Sequence, residues 1–266
     1  MNRELSAPLR ERHGSDCVKP LLDIAVRVWR YMSFPVQTAR VDEPVAAARR
    51  RLSALGVFGL PVVTAGGRLA GVLSITDLLR APEAGELRVD ELMSPEPVAV
   101  SIDTAISAAA AAMVEHRVHR VFVTDGQRLA GVFSTSDVIR ALAEQAAPQP
   151  IGELATPAHT IGLDAPLETA IAELDRHGAS GLIGVEDGDW PVGVFTQRDA
   201  LLALASGASR VGEAMVRGVI CLPAHTRLDR AAAVAHRSGV RHVVAVHRRQ
   251  MAGALTDMGF AGAVGG

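Results

Sequence analysis

The sequence predicts an α/β (α+β) fold in which four repeats, each a small sheet with two helices, pair into two tandem modules. A seven-residue phrase recurs along the chain: glycine, two apolar residues, Ser or Thr, two variable residues and aspartate. The copies begin 60, 62 and 60 residues apart, at Gly71, Gly131, Gly193 and Gly253. A fixed period of this length indicates a repeated supersecondary unit. A unit of about 60 residues forms only a marginal core by itself, which favours pairing.

The second copy shows the order of elements most clearly, and the other copies follow the same order. Its predicted elements are a helix over 105–116 capped by Asp103 and Thr104, strands over 120–124 and 129–133 joined by a tight turn, and a helix over 135–144 that starts after Ser134. In copies one and three the first helix carries Pro44 or Pro166, which we expect in its first turn.

A short lead segment precedes each copy. The lead segments of copies one, two and four open with Arg-Val and end on Met32, Met93 and Met215, whereas the third ends on Ala155. We define the lead segments as residues 27–32, 88–93, 151–155 and 210–215.

Domain boundaries follow from the repeats and from the breaker-rich stretch 145–150, which marks the expected junction of the two modules. The first pair spans 27–147, with repeats 27–83 and 88–147, and the second spans 148–266, with repeats 148–206 and 210–260. Residues 1–26 form an N-terminal segment without the apolar core of a secretory signal. We expect the tail at 262–266 to be frayed, as chain ends often are.

The bulk composition argues against several classes of partner. A formal net charge of −2 gives no general attraction to nucleic acid or to anionic membranes. Aromatic residues make up 3% of the chain, too few for platforms that stack single-stranded bases. No apolar run reaches the length of about 18 residues that a membrane span needs. Cys17 and Cys221 stand alone, which suits a reducing compartment, so we expect a cytoplasmic protein.

The order of elements, the methionine of the lead segments and the repeated phrase together resemble cystathionine beta-synthase (CBS) domains. The resemblance covers about residues 27–260. It implies that adjacent repeats form tandem Bateman modules, whose clefts commonly bind adenosine-containing ligands. Four repeats in one chain are similar to the arrangement in the gamma subunit of AMP-activated protein kinase.

The repeated phrase suits the start of a helix that follows a strand. Free backbone N–H groups and the positive end of the helix dipole would face a phosphate there. An aspartate one turn later can accept hydrogen bonds from ribose hydroxyls. The same pattern is also a helix cap that needs no ligand, and both interpretations stay open on the sequence.

The resemblance assigns roles to residues of the phrase. Ribose would be held by Asp77, Asp137 and Asp199. The hydroxyl residues that would touch ribose or phosphate are Ser74, Ser134, Thr196 and Thr256, and the expected ligand-binding set also includes Thr76, Ser136 and Arg198. The fourth copy has Gly259 in place of the aspartate, so we expect its cleft to be the weakest for ribose.

Two basic pairs, His119-Arg120 and Arg241-His242, precede the central strands of repeats two and four. By resemblance, these side chains would contact phosphate. The matching positions in repeats one and three, at Gly59-Leu60-Pro61 and Ser180-Gly181-Leu182, carry no charge. The alternative for each pair is a solvated strand end or a carboxylate partner.

The predicted function is a regulatory, non-enzymatic module that binds AMP, ADP or ATP, with or without Mg²⁺, and acts on an unknown protein. A homodimer is compatible with it, and the alternative is a ligand-free interaction scaffold. The repeats leave no room for a catalytic domain, and the sequence contains no phosphate-binding Gly-Lys-Ser/Thr loop or nucleophile triad at a workable spacing. His116 and His119 lack a carboxylate or cysteine partner, so no metal site is predicted.

Overall fold

The computed structural model describes residues 26–57, 59–81, 86–186 and 190–266. The predicted N-terminal segment, apart from Val26, lies outside the described residues, and so does the side chain of Thr76. Within these ranges the chain forms four small sheets with helices packed on them, which confirms the predicted α/β fold of four paired repeats. None of the described helices is long and apolar enough to cross a membrane.

Each repeat contains a short strand, a helix, a central strand, a return strand and a second helix. Repeat one comprises β1 (Ala39–Arg40), α1 (Val45–Leu55), β2 (Gly59–Val63), β3 (Leu69–Ser74) and α2 (Ile75–Arg80). After α3 (Val89–Leu92) and β4 (Ser94–Pro95), repeat two comprises β5 (Ala99–Ser101), α4 (Ile106–Glu115), β6 (Arg120–Asp125), β7 (Arg128–Ser134) and α5 (Thr135–Ala143).

The second tandem repeats this order. After α6 (Ile151–Leu154), repeat three comprises β8 (Thr160–Gly162), α7 (Leu167–His177), β9 (Gly181–Glu186), β10 (Trp190–Thr196) and α8 (Gln197–Ser206). After α9 (Val211–Ala214) and β11 (Val216–Arg217), repeat four comprises β12 (Ile220–Pro223), α10 (Leu228–Ser238), β13 (Val243–His247), β14 (Gln250–Leu255) and α11 (Asp257–Gly265).

The central strand of every repeat pairs parallel with the short first strand and antiparallel with the return strand. In repeat two, Val100 lies opposite Val123 and Phe122 lies opposite Val132. Val121, Phe122 and Val123 are all buried, because this strand is covered on both faces. The return strand ends at Ser134, so the repeated phrase forms the junction between that strand and the second helix.

Each lead segment packs against the other repeat of its tandem, not against the repeat that follows it. Beyond the first lead segment, the Ser33 N–H donates to the Val132 carbonyl of repeat two at 2.9 Å. In return, β4 extends the sheet of repeat one beside β3. The second tandem makes the same exchange, with Thr156 beside Ala254 and β11 beside β10. Each repeat is therefore completed by a segment of its partner, which ties the two into one module.

The glycine of the repeated phrase makes room for the exchanged lead segment. A Cβ atom added at Gly131 would lie 2.6 Å from the Met32 sulfur. The other copies repeat the contact at similarly short distances, pairing Gly71 with Met93, Gly193 with Met215, and Gly253 with Ala155 and Thr156. The third lead segment, which ends on alanine, is thus the partner of the fourth copy, which lacks the aspartate. The glycine therefore serves close backbone packing in all four copies.

The first helices of the repeats have no side-chain cap. Their N-cap residues are Pro44, Ala105, Pro166 and Arg227, and none of them caps through its side chain. The predictions of Asp103 and Thr104 as caps, and of proline within the first turn, are therefore wrong. The first helical N–H groups donate to carbonyl groups just before the exchanged lead segments, for example Ile106 to Val26 at 3.0 Å and Leu228 to Gln149 at 2.8 Å. A contact from the partner repeat replaces the local cap.

The two modules meet through the helices of repeats two and four. Here α4 and α5 pack against α10 and α11, and one apolar core runs across the interface, with Phe133, Leu228 and Phe260 fully buried. The backbones of α11 and α4 approach so closely that a Cβ atom on Gly265 would lie 2.4 Å from the Ala111 nitrogen. Repeats one and three keep separate cores.

The end of the chain is helical and packed. α11 continues to Gly265, and Phe260, Ala261 and Val264 belong to the core that repeats two and four share. The expectation of a frayed tail is therefore wrong. The helix gains its stability from α4, which the local sequence does not reveal.

Candidate functional site

A central cavity of about 1320 Å³ lies between the repeats, and residues from all four line it. Its apolar walls come from the sheets, through Val72, Phe122, Val132 and Val194. Sites for one small ligand usually occupy about 300–1,000 Å³. The cavity therefore has room for more than one ligand of nucleotide size.

The cavity wall carries a concentration of basic side chains. These are Arg117, Arg120, Arg198 and Arg241, together with His119 and His242. Among the described residues, none of the four guanidinium groups has a carboxylate within ion-pair distance. Burial and the nearby Arg241 guanidinium lower the pKa of Arg120. An anion placed near this pair would relieve the repulsion between the two cations.

The repeated phrase forms a capping box in each of the first three copies. In the third copy the Thr196 hydroxyl donates to Asp199 Oδ2 at 2.6 Å, and the Thr196 backbone N–H donates to the same oxygen at 2.8 Å. The Asp199 N–H in turn donates to the Thr196 hydroxyl at 3.4 Å. The helix cap that the sequence left as an alternative is therefore present. It occupies Oδ2 of each aspartate and leaves Oδ1 for other partners.

The three aspartates differ in what Oδ1 contacts. In Asp77 it accepts from the Ser94 hydroxyl at 3.2 Å, and in Asp137 it lies 3.4 Å from Arg140 Nη2. Burial also raises the pKa of Asp137. In Asp199, Oδ1 has no partner within the ranges that the structure describes. The third copy thus presents the most available carboxylate oxygen to the cavity.

A buried carboxylate that the sequence analysis missed joins three repeats behind the cavity wall. Asp257 opens α11 and is fully buried. Its Oδ2 accepts from two groups of repeat two, His119 Nδ1 at 2.9 Å and the Thr135 hydroxyl at 3.2 Å. Its Oδ1 accepts from the Ser180 hydroxyl of repeat three at 3.0 Å and from the Met258 backbone N–H at 3.0 Å.

Ser180 links His242 to the same carboxylate, because its hydroxyl also lies 3.1 Å from His242 Nε2. A carboxylate cannot donate, so the hydroxyl proton points to Asp257 and the Nε2–H of His242 donates to Ser180. Burial opposes charge on Asp257, but the hydrogen bond and charge of His119, the charge of His242 and the Ser180 bond outweigh it and lower the pKa of Asp257 to about 2. Burial lowers the pKa of His242. At neutral pH Asp257 is therefore ionised and His242 neutral.

The cavity brings together most of the residues that the sequence singled out. The lining includes Ser74, His119, Arg120, Ser134, Asp137, Thr196, Arg198, Asp199, Arg241 and His242. The others lie elsewhere: Asp77 is buried and outside the lining, and Ser136 is exposed on α5. Thr256 caps α11 through the Gly259 N–H at 3.1 Å and is not part of the lining.

Sequence reasoning missed Arg117, Ser180 and Asp257 as residues of the cavity region. Ser180 was noted only as a neutral residue at the strand start. Asp257 carried a usable signal, because it is an acid two residues before the glycine that replaces the expected aspartate. It occupies the first helical position, which is Thr135 in the second copy, and these two residues meet where α5 and α11 converge.

Two solved structures match nearly the whole chain. A proposed archaeal homologue of g-AMPK from Methanocaldococcus jannaschii matches with a TM-score of 0.71 and 19% identity, over 89% of this chain and 99% of that chain. An uncharacterised conserved protein from Pyrococcus horikoshii matches with a TM-score of 0.70 and 20% identity, over 90% of this chain and 100% of that chain. At this level of identity the likeness shows a shared fold.

A known enzyme and a family model also match parts of the chain. Inosine-5'-monophosphate dehydrogenase of Korarchaeum cryptofilum (strain OPF8) is 28% identical over 130 residues. That match spans 47% of this chain and 27% of the dehydrogenase, so the chain corresponds to about a quarter of that enzyme. The CBS domain model matches residues 28–84, 89–144 and 151–206, which hold the three copies of the phrase that end in aspartate. The chain therefore belongs to the CBS domain family.

Proposed function

We propose that this chain is a regulatory module that binds adenine nucleotides in its central cavity and conveys their binding to a partner protein. The observation that carries the proposal is the group of cavity arginines that have no acidic partner in the described part of the chain. Arginine presents a planar fork of donors that matches phosphate oxygens. Arg120 and Arg241 come from different modules and lie near each other, so one phosphate group can be held between the two modules.

The remaining parts of a nucleotide also find complementary groups. The helices α5 and α8 begin at the cavity, at Ser134 and Thr196, and the positive end of each helix dipole favours an anion there. Oδ1 of Asp199, which has no partner among the residues that the structure describes, is suited to accept from ribose hydroxyls. The apolar strand residues of the cavity wall, such as Val132 and Val194, offer a surface for the adenine ring.

The alternative function is an interaction scaffold with no ligand. It is favoured by the capping boxes, which explain the Ser, Thr and Asp residues of the phrase as helix stabilisers. It does not explain why four arginines face one cavity with no acidic partner among the described residues, since repulsion between nearby cations such as Arg120 and Arg241 costs free energy. The nucleotide proposal explains both features, and it assigns the chain no reaction of its own.

Calorimetry and thermal unfolding with AMP, ADP and ATP, with and without Mg²⁺, test the proposal. A ligand at a hundred times its Kd stabilises the folded state by about 2.7 kcal/mol, which for a chain of this size raises Tm by roughly 5–10 °C. Guanine nucleotides, S-adenosylmethionine and cyclic dinucleotides complete the panel. No heat and no Tm shift with any of them would favour the scaffold.

A pair of variants locates the binding site. Arg120→Gln should weaken binding of AMP about tenfold or more, because a hydrogen bond to a charged group contributes about 1.5–3 kcal/mol. Arg237→Gln is the matched control, since Arg237 is exposed in the last turn of α10 and is not part of the cavity lining. Equal affinities of the two variants would place the phosphate elsewhere.

A further inference from the structure

We propose that Asp257 is a positioning residue that aims His119 at an anionic group in the cavity and balances its charge, within a hydrogen-bond network that joins three repeats. This inference rests on the proposed nucleotide binding. Asp257 does not line the cavity; it lies behind a wall that includes His119, Ser180 and His242. It would therefore act on a ligand through these residues.

The contact with His119 fixes which ring nitrogen is free. The carboxylate accepts at Nδ1, so this nitrogen carries the proton, and Nε2 has no partner among the described residues. When a phosphate oxygen accepts from Nε2, the ring carries two N–H groups and a positive charge. Ionised Asp257 balances that charge at 2.9 Å. The same arrangement of carboxylate and imidazole orients histidine ligands at metal sites.

The contact with Ser180 connects Asp257 to a second histidine of the cavity wall, His242. His242 donates through Nε2 to Ser180, which donates to Asp257, so the His242 ring is held through one intervening hydroxyl. His119 belongs to repeat two, Ser180 to repeat three and His242 to repeat four. All acceptor positions of Asp257 are used by these groups, Thr135 and its own helix. A movement of any one of these three repeats would therefore displace Asp257 and alter its contacts with the other two.

The position of Asp257 in the fold explains why an acid is stable there. The first turns of α5 and α11 meet at Thr135 and Asp257, so the positive ends of two helix dipoles converge. His119 and His242 stand around the same point, with Arg241 acting on His242 electrostatically. A carboxylate at this place offsets positive charge that would otherwise be buried.

The test compares Asp257→Asn with the wild type in binding AMP and adenosine, which differ by the phosphate. We expect adenosine to bind with the same Kd within about twofold and AMP to bind about tenfold more weakly in the variant. The control is Asp229→Asn, which removes an acid from the first turn of α10, outside the cavity lining, and should leave both affinities unchanged. An unchanged AMP-to-adenosine ratio, or tighter AMP binding in Asp257→Asn, would overturn the inference.

A spectroscopic readout keeps the inference separate from the proposed function. Nitrogen-15 NMR of the imidazole rings should show His119 as the Nδ1–H tautomer in the wild type and lose that preference in Asp257→Asn. If neither AMP nor adenosine binds the wild type, the proposed function fails. The inference then fails too, unless inorganic pyrophosphate binds the wild type and binds Asp257→Asn about tenfold more weakly. Should Asp257→Asn fold poorly, Ser180→Ala removes one of the four bonds and should perturb His242 while leaving the tautomer of His119 unchanged. A His119 ring that is indifferent to Asp257 would contradict the proposal.

Discussion

At the scale of single residues, the two carboxylate oxygens of each repeated aspartate differ in what they contact. Oδ2 completes a capping box in each of the first three copies. Oδ1 is what distinguishes them: it accepts from Ser94 in Asp77, lies beside Arg140 in Asp137, and has no partner among the described residues in Asp199. If the proposed function holds, a mutation at Asp199 should affect both stability and nucleotide binding, and the two effects can be separated.

Asp199→Ala should lower the free energy of unfolding by about 0.5–2 kcal/mol, because the capping box is lost. It should also weaken nucleotide binding about ten- to a hundredfold, because an acceptor for ribose is lost. Urea unfolding and calorimetry measure the two effects. Glu91→Ala is the control, since Glu91 accepts from the Arg88 backbone N–H at the start of α3, outside the cavity lining, and its loss should lower stability alone. Unaltered nucleotide affinity in Asp199→Ala would remove the ribose role.

At the scale of secondary-structure elements, the exchanged lead segments and the glycines that receive them define each module. The return strand approaches the partner's lead segment at backbone distance, so glycine is needed where the two cross. The same principle acts between modules, where α11 approaches α4 at Gly265. Each contact can be tested by a pair of Gly→Ala substitutions, one where the added methyl group would clash and one where it would not.

Gly131→Ala should destabilise the chain by about 1–3 kcal/mol, because the new Cβ would lie 2.6 Å from the Met32 sulfur and 3.0 Å from the Ser33 carbonyl oxygen. Gly162→Ala on β8 is the matched control, since its Cβ position has no atom of a described residue within 4 Å other than those of its chain neighbours. Chemical unfolding of both variants gives the comparison. Equal stability of the two would mean that the lead segment does not pack on this glycine.

Gly265→Ala should weaken the interface between the modules, because its Cβ would lie 2.4 Å from the Ala111 nitrogen and 2.7 Å from its Cα, and the backbone cannot rotate away as a side chain can. We expect a loss of about 1–3 kcal/mol in unfolding free energy. Gly262→Ala lies in the same helix with open space around it and should be neutral or stabilising by up to about 1 kcal/mol. A stable Gly265→Ala variant would contradict the close packing of α11 on α4.

At the scale of the whole molecule, the two modules are joined by an apolar core and by the buried Asp257 network. The core joins repeats two and four, and the network adds repeat three. The stability of the assembly should therefore depend on the charge of Asp257.

The folded-state pKa of Asp257 is about 2, below the ordinary aspartate value. A lowered carboxyl pKa contributes stability that is present above the unfolded-state value of about 3.9 and is lost as pH falls toward 2. We expect the free energy of unfolding of the wild type to exceed that of Asp257→Asn by about 2 kcal/mol at pH 5–7. This difference should shrink between pH 4 and pH 2. Urea unfolding of both proteins across this range measures it. A difference that stays constant down to pH 2 would show that the charge of Asp257 does not matter.

Much of the local structure could be predicted from the sequence because it depends on neighbours in the chain. The helix that starts at Ser134 follows from the capping box and from the end of the strand before it, and the structure places it there. The caps of the first helices could not be predicted, because their partners lie about 40 or 80 residues away, as the carbonyl of Leu87 does for Val45 and that of Val26 for Ile106. The packing of the last residues of α11, where a frayed tail was expected, was missed for the same reason.

The sequence by itself determined the repeat, its strand and helix order, and the side chains from which a phosphate site could be made. Only the tertiary structure decided which repeats meet and which arginines line the cavity with no acidic partner among the described residues. It also decided that Asp257 binds His119, 138 residues away, and Ser180, 77 residues away. A seven-residue pattern encodes local hydrogen bonds, whereas these contacts arise when separate modules dock, and their free energy depends on packing between residues that no local pattern relates.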